Sequence, residues 1–340
     1  MDEIKLYAPV IIPTLNRADH LKRCLTSLMN NGWAKYTDVY ISVDYPPAEK
    51  YVAGYNQVKN YLQTADFSGF RKLTVAYQTE NLGPFGNYAY LRNWIRNDYD
   101  RFIFSEDDNE FAPNFLEYQN KGLTLFAEDE RVMAICAAKD THWETGGQAV
   151  TFAKLCPAYG FGVWFAKEDA LRQAGDEIIL SKKAMRLSSV LSLAKKNVYL
   201  AIAYITEVLF SDSPVYWDKN GKLSWCDSLR SMYLHWTDSV CVVPQQAKAR
   251  TWGNDGTGVN MQKLENETMM PLDTAADFTY PPKEQIAFYP ENYKKGDAYL
   301  RLWGARAAIK AVACYLLLQL CGKDRNKAKG LLDRLRKNRK

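Results

Sequence analysis

Residues 101–115 read RFIFSEDDNEFAPNF. A short apolar run, Phe102 to Phe104, stops at Ser105, and three carboxylates follow without a break: Glu106, Asp107 and Asp108. Like charges this close repel one another, and Asp and Glu are unfavourable at the end of a buried strand. Two readings account for them. Asp107 or Asp108 caps a helix that begins near Pro113, across a gap long for a cap. Alternatively, the cluster holds a hard cation that cancels the repulsion.

The sequence on either side bears on that choice. Short apolar runs predict strands at residues 7–12, 39–43, 73–77, 101–104 and 132–136. Between them, residues 18–29 place Leu21, Cys24, Leu25 and Leu28 on one helix face, and residues 51–62, 88–95 and 115–126 also read as helices. Strands alternating with helices at this pitch predict an α/β fold, a mostly parallel sheet flanked by helices. Such sheets bind ligands outside the carboxyl ends of their strands. The residues after each strand share a theme: Pro13 to Arg17, then Asp44, then the loop ENLGPFGN (residues 80–87), then the acidic triplet. One cation, one carboxylate, a glycine loop and an acidic cluster on one edge suit a nucleoside diphosphate bridged by a divalent cation. Singly, each has a plainer reading. Asp44 is a turn residue before Pro46 and Pro47, Arg17 a solvated first-turn residue, and NLGPFG a turn.

Composition narrows the class. The 340-residue chain is 47% hydrophobic and 24% charged, an ordinary globular balance. Its net charge of +5 is mild, and basic residues gather only in the last twenty positions, so no nucleic-acid partner is expected. Seven cysteines without a CxxC pair argue against a disulfide framework or a zinc site and fit a reducing compartment. Residues 1–5 form no apolar signal region, so a cytoplasmic location is expected.

APVIIPTLNRADHLKRCLTSL (residues 8–28) resembles the opening of inverting family 2 glycosyltransferases. EDDNEFAPNFLEY (residues 106–118) is similar to the metal-binding segment of N-acetylglucosaminyltransferase I and its relatives, SWCDSLR (residues 224–230) to their catalytic-base segment, and CVVPQQAKARTWGNDGTGVN (residues 241–260) to their closing loop. The sequence departs from that pattern at Cys226, where relatives carry a second acid, and over residues 176–215, an unmatched helical stretch. The resemblance implies a GT-A fold and an inverting transferase moving a hexosyl or N-acetylhexosaminyl group. The donor would be UDP-GlcNAc or a similar UDP-sugar, the acceptor a glycan or lipid-linked saccharide. It further implies Asp108 as ligand to Mn²⁺ or Mg²⁺, and Glu106 and Asp107 facing the donor. Arg17, Asp44, Asn81 and Gly83 would line the nucleotide pocket, with Asp44 accepting from uracil or ribose. Arg250 would lie before a loop that closes over the diphosphate.

For the base that deprotonates the acceptor, Asp212, Asp218, Asp227 and Asp238 are candidates. Asp227 is favoured because it follows Trp225 and opens an apolar helix pattern; an N-cap role fits it too. His142, Trp143, Tyr159, Phe161 and Trp164 read either as a sugar platform or, around residues 163–165, as a buried strand. The expected organisation is a catalytic domain at residues 1–265, split into a nucleotide half (1–138) and an acceptor half (139–265), and a C-terminal extension at 266–340. Within that extension, residues 311–322 are uncharged but too short to span a bilayer. Residues 323–340 hold nine basic against two acidic side chains, a net +7. That tail is expected either to dock on anionic lipid at the inner face of the membrane or to be a solvated tail or dimer arm. Two other functions stay open: a sugar nucleotidyltransferase, and a noncatalytic glycan-binding protein on a transferase scaffold.

Overall fold

A computed structural model describes residues 7–138, 148–157, 159–218, 220–257, 270–288 and 297–337. The chain forms two compact units: residues 1–169 with 240–289, and residues 170–239 with 290–340. The C-terminal extension expected from residue 266 is thus divided. Residues 266–289 belong with the sheet, and residues 290–340 with a helical unit.

The first unit is built on an eight-stranded sheet in the order β3-β2-β1-β4-β8-β6-β9-β7. In chain order its elements are β1 (Val10–Thr14), α1 (Ala18–Met29), β2 (Asp38–Val43), α2 (Val52–Thr64), β3 (Lys72–Tyr77), α3 (Gly83–Ile95), β4 (Arg101–Phe104), β5 (Asn109–Phe111), α4 (Phe115–Leu125), β6 (Val132–Cys136), β7 (Val150–Ala153) and β8 (Phe161–Trp164). After α5 (Phe165–Ile179) and the rest of the second unit come β9 (Val240–Pro244) and β10 (Ala249–Thr251). β3, β2, β1 and β4 pair in parallel, as do β6 and β9. β8 runs antiparallel between β4 and β6, and β7 antiparallel to β9. The expected α/β class, with a mostly parallel sheet flanked by helices, is what the chain adopts.

Local chemistry explains these elements. β2 is buried at every position, as a parallel strand covered on both faces must be. α1 buries the four apolar residues its spacing singles out. α3 starts earlier than its apolar pattern, at Gly83, because Pro84 in the first turn forgoes only a hydrogen bond that position lacks. Phe161 and Trp164 are buried in β8, so these two rings are core and not an exposed sugar platform. His142 and Trp143 lie outside the described residues.

Side-by-side β6 and β9 also bring cysteines together. The sulfurs of Cys136, Cys156 and Cys241 lie within 4.8 Å of one another, all buried. Burial first, then hydrogen bonding from Cys156 and Cys241, pushes the Cys136 thiol well above its ordinary pKa. A thiol held protonated packs as a small apolar group.

The second unit contains the remainder of α5, then α6 (Leu187–Lys196), α7 (Val198–Ala203), a π-helical segment (Tyr204–Leu209), α8 (Asp227–Thr237), α9 (Asp297–Leu320) and α10 (Arg325–Lys337). The unmatched stretch at residues 176–215 is this unit's helical body. The basic tail is helical too: α10 buries Ala328, and Arg325 stacks 4.0 Å over the Trp217 ring. Among the described residues, no helix is long and apolar enough to cross a membrane.

Candidate active site

β1 and β4 are neighbours, so the segments leaving their carboxyl ends meet. Thr14, the last residue of β1, donates its hydroxyl to Asp107 Oδ2 at 2.7 Å. Arg17, at the N-cap of α1, donates to Asp107 Oδ1, and its Nη1 lies 2.8 Å from Asp108 Oδ2. Both carboxylates are buried, at 4% and 6% exposure. Burial is the largest influence on Asp107 and raises its pKa; the Asp108 charge adds to that, and Arg17 opposes it. Burial pulls Arg17 down, but Asp107 and Asp108 outweigh it, and its pKa is raised. One guanidinium therefore serves two carboxylates. The backbone oxygen of Glu106 accepts from Ser105 Oγ at 2.8 Å, which fixes the start of the triplet.

A second ladder closes the site from the other side. β10 pairs antiparallel with β5, setting Arg250 opposite Glu110 and Thr251 opposite Asn109. Glu110 Oε2 accepts from Arg250 Nε at 2.9 Å and from Trp252 Nε1 at 2.7 Å. The Trp252 backbone N–H donates to the Asp108 carbonyl at 2.8 Å, and Arg23 stacks 4.0 Å over its ring. Thr251 Oγ1 reaches Asp108 Oδ1 at 3.3 Å. Next comes Gly253. A Cβ there would stand 2.3 Å from Asp108 Oδ2, so only glycine lets this backbone lie against the carboxylate.

Asp44 has a different task. Its Oδ1 accepts from the N–H groups of Tyr45 at 2.9 Å and Leu82 at 2.8 Å; its Oδ2 accepts from Gly83 at 2.9 Å and Asn81 Nδ2 at 3.2 Å. A carboxylate has about four lone-pair sites, and here all four have donors. Burial raises the Asp44 pKa, while the three backbone N–H groups pull it down. Asp44 thereby clamps the Asn81–Gly83 loop to β2, and accepting from a nucleotide would mean releasing one of these donors. Gly83 sits at φ +69°, the left-handed region that favours glycine.

The base candidates sort within the second unit. Asp212 pairs with Lys329 of α10. Asp218 accepts from the N–H groups of Asn220 and Lys222, both at 2.8 Å, and is a turn residue. Asp238 ends α8 as a left-handed C-cap. Asp227 opens that helix; the cap position itself falls to Cys226, which makes no side-chain cap bond. Two residues earlier, Trp225 holds φ 57°, an uncommon conformation for a bulky residue. Its ring packs so closely on Gly175 that a Cβ there would meet it at 2.1 Å, and its carbonyl accepts from Arg230 Nε at 3.0 Å. The turn presenting Asp227 is thus rigidly held.

Sequence spacing points to Arg17, Asp44, Asp107, Asp108 and Asp227 but not to Thr14, Glu110, Trp252, Gly253 or Gly175. The only local signal for the missed group is the glycine run after Arg250; residues 258–260 of that loop lie outside the described residues. A cleft of about 520 Å³ lined by Tyr7, Trp33, Lys121 and Tyr280 includes none of the acidic residues. It adjoins the amino end of β1, away from the edge where such folds work.

The fold and site together define an α/β protein with a mostly parallel sheet and an acidic, oxygen-rich edge at the end of β4. Comparison with known proteins bears chiefly on the N-terminal part. Residues 1–154 match the GNT-I family. The chain is similar to alpha-1,3-mannosyl-glycoprotein 2-beta-N-acetylglucosaminyltransferase of Arabidopsis thaliana, 27% identical over 150 residues covering 42% of this chain and 32% of that one. It thus spans about a third of that relative's length. Among solved structures, S. aureus TarS aligns with a TM-score of 0.30 and 16% identity, over 42% of this chain and 23% of that one. A mannosyltransferase from Pyrobaculum calidifontis, solved with GDP-Man and Mn2+, aligns at 0.38 and 14%, over 67% and 69%.

Proposed function

We propose that the protein is an inverting, divalent-metal-dependent glycosyltransferase. It moves a hexosyl or N-acetylhexosaminyl group from a UDP-sugar to a glycan or lipid-linked saccharide. The observation that carries this reading is the buried Asp107–Asp108 pair at the end of β4, served by one arginine and flanked by a backbone that only glycine can bring so close. Such an all-oxygen donor set suits a hard cation. Asp108 would hold Mn²⁺ or Mg²⁺, which when bound offsets charge on the departing diphosphate. Glu106 and Asp107 would face the donor, and the Asn81–Gly83 loop, held by Asp44, would line the nucleotide pocket. Arg17 and Arg250 would supply positive charge once released from their carboxylates. Asp227 would take the acceptor hydroxyl proton. The hydroxyl oxygen then bonds to the anomeric carbon as the carbon–phosphate-oxygen bond breaks and UDP leaves.

A thermal-shift panel of UDP-, GDP- and CMP-sugars, with and without Mn²⁺, tests this reading. A ligand at 100 times its dissociation constant adds about 2.7 kcal/mol of stability. UDP-sugars should shift the protein only with metal, and slow Mn²⁺-stimulated hydrolysis of the donor should follow. A shift with GDP- or CMP-sugars alone would overturn the nucleotide assignment. Binding without hydrolysis or transfer would favour a noncatalytic glycan-binding role. The nucleotidyltransferase alternative is weakened by Arg17, which stands paired to two acids where a glycine-rich, basic phosphate loop would be needed.

A further inference from the structure

Over residues 306–320, α9 is apolar on two faces, and among the described residues only one is covered. Ala311, Cys314, Tyr315 and Leu318 are buried inward, and the Tyr315 hydroxyl and Gln319 Nε2 both donate to the Met185 carbonyl at 3.2 Å. On the outer side Ile309, Val312, Leu316 and Leu320 are 67%, 61%, 58% and 84% exposed. Their spacing puts them on one face, a stripe of large apolar side chains about 16 Å long. α10 exposes Leu331 and Leu335 as well. Isolated exposed leucines need no explanation, but a continuous stripe does.

Charge selects what covers it. Arg306 is exposed beside the stripe, Lys310 is exposed there too but lies 3.9 Å from Glu207, and residues 323–340 carry a net +7. Arg325 and Lys329 are spent on anchoring α10, donating to the Val208 carbonyl at 3.3 Å and pairing with Asp212 respectively. Lys327 stays 77% exposed. A second copy would bring an equally basic surface against this one and be repelled. A nucleic acid would leave the leucines in water. An anionic bilayer surface satisfies both features, burying the stripe among acyl chains while headgroups meet the lysines and arginines. At 16 Å the stripe is about half the thickness of a hydrocarbon core, so α9 would lie in the interface and not cross it.

We propose that the outer face of α9, with basic α10, is a docking surface for an anionic phospholipid membrane. The surface lies in the helical unit, so the proposal does not rest on the reaction assigned to the acidic site. The test is co-sedimentation of the full chain with vesicles of phosphatidylcholine alone and of phosphatidylcholine mixed with phosphatidylglycerol. Each basic side chain near an anionic surface multiplies binding about fivefold, so the mixed vesicles should bind at least about tenfold more tightly, and salt should weaken that binding. Val312→Ser with Leu316→Ser, both exposed positions, should abolish most binding with melting temperature unchanged. Lys327→Gln with Arg334→Gln should weaken binding to the mixed vesicles and flatten its salt dependence. Equal binding to both vesicle types, no binding to either, or full binding by the serine variant would overturn the proposal. So would sedimentation equilibrium showing a dimer that the serine variant abolishes, since a second copy would then cover the stripe.

Discussion

Asp108 is held from two parts of the chain: Arg17 on its Oδ2, and the segment 251–253, with Thr251 on its Oδ1, Trp252 on its carbonyl and the bare backbone of Gly253 beside the carboxylate. Two predictions follow from that crowding. Gly253→Ala sets a methyl 2.3 Å from Oδ2, so the carboxylate must turn away from Arg17 or the loop must shift. Isothermal titration should show Mn²⁺ affinity falling at least about tenfold, because a ligand oxygen displaced from its cation loses most of the bond. Unchanged affinity would place the metal on other oxygens. Arg17→Met leaves two buried carboxylates without their cation, a loss of roughly 3 to 5 kcal/mol for a broken buried pair. A divalent cation can take the guanidinium's place, so Mn²⁺ should raise the melting temperature of Arg17→Met more than that of wild type. An equal rise in both would mean that Arg17 and the metal do not compete. Titration adds a sign. Burial and the neighbouring Asp108 charge raise the Asp107 pKa, so as pH falls it takes up a proton sooner than an ordinary carboxylate and the pair loses charge that a cation would meet. Mn²⁺ affinity should therefore fall as pH is lowered from neutrality, and a titration series that shows pH-independent affinity would contradict this. The acids, Arg17 and Asp44 are legible in the sequence because each immediately follows a predicted strand. Glu110, Trp252 and Gly253 are not, because the β5–β10 pairing brings them together, as in the Trp252–Glu110 hydrogen bond between residues 142 positions apart, and no local spacing encodes it.

At the scale of elements, the parallel half of the sheet and α1 to α4 are readable, because buried strands and amphipathic helices write different periods. Two features go beyond what the sequence shows. ENLGPFGN looks like a loop, yet α3 begins there, because the left-handed backbone at Gly83 suits glycine and Pro84 forgoes only a hydrogen bond that the first turn lacks. The basic tail, expected either to dock on anionic lipid or to be a solvated tail or dimer arm, is helical, with Ala328 and Arg325 giving it one anchored side. One long-range contact is invisible to periodicity: Lys248, just before β10, is buried and paired with Asp273. The ammonium also lies 4.3 Å from the Phe278 ring centroid. Lys248→Met should cost roughly 3 to 5 kcal/mol in urea denaturation at neutral pH, because it strands Asp273. Burial raises the Asp273 carboxyl, but Lys248, the Ala275 N–H and Asn114 outweigh it and hold its pKa below the ordinary value. Its contribution is thus present above the usual carboxylate range and lost as pH falls through the lowered pKa. The gap between wild type and variant should narrow over that acid range. A constant gap would show that packing of the lysine stem, and not the pair, carries the energy.

At the scale of the whole molecule, the groups proposed for the donor and its metal fall in the sheet unit, and the proposed base falls in the helical unit. Binding and proton transfer should therefore separate under mutation, and Asp227 is where to cut. Inversion proceeds by one displacement, so the acceptor hydroxyl must lose its proton as it attacks, and a positioned carboxylate contributes roughly 10² to 10⁴-fold. Asp227 occupies the first turn of α8, behind a tryptophan held in a strained conformation by Gly175 and Arg230. The competing reading is that Asp227 only complements the helix dipole, worth about 0.3 to 1 kcal/mol. Stability alone does not separate them, since Asp227→Ala lowers it under both. Asp227→Asn does: asparagine keeps the size and the polar first-turn residue but takes no proton. The expected result is UDP–Mn²⁺ affinity and melting temperature close to wild type, with transfer slowed at least about 10²-fold and the loss falling on kcat. A variant that keeps most of its transfer rate would make Asp227 a helix-start residue and nothing more. Asp238, at the far end of the same helix, would then be the carboxylate to replace next.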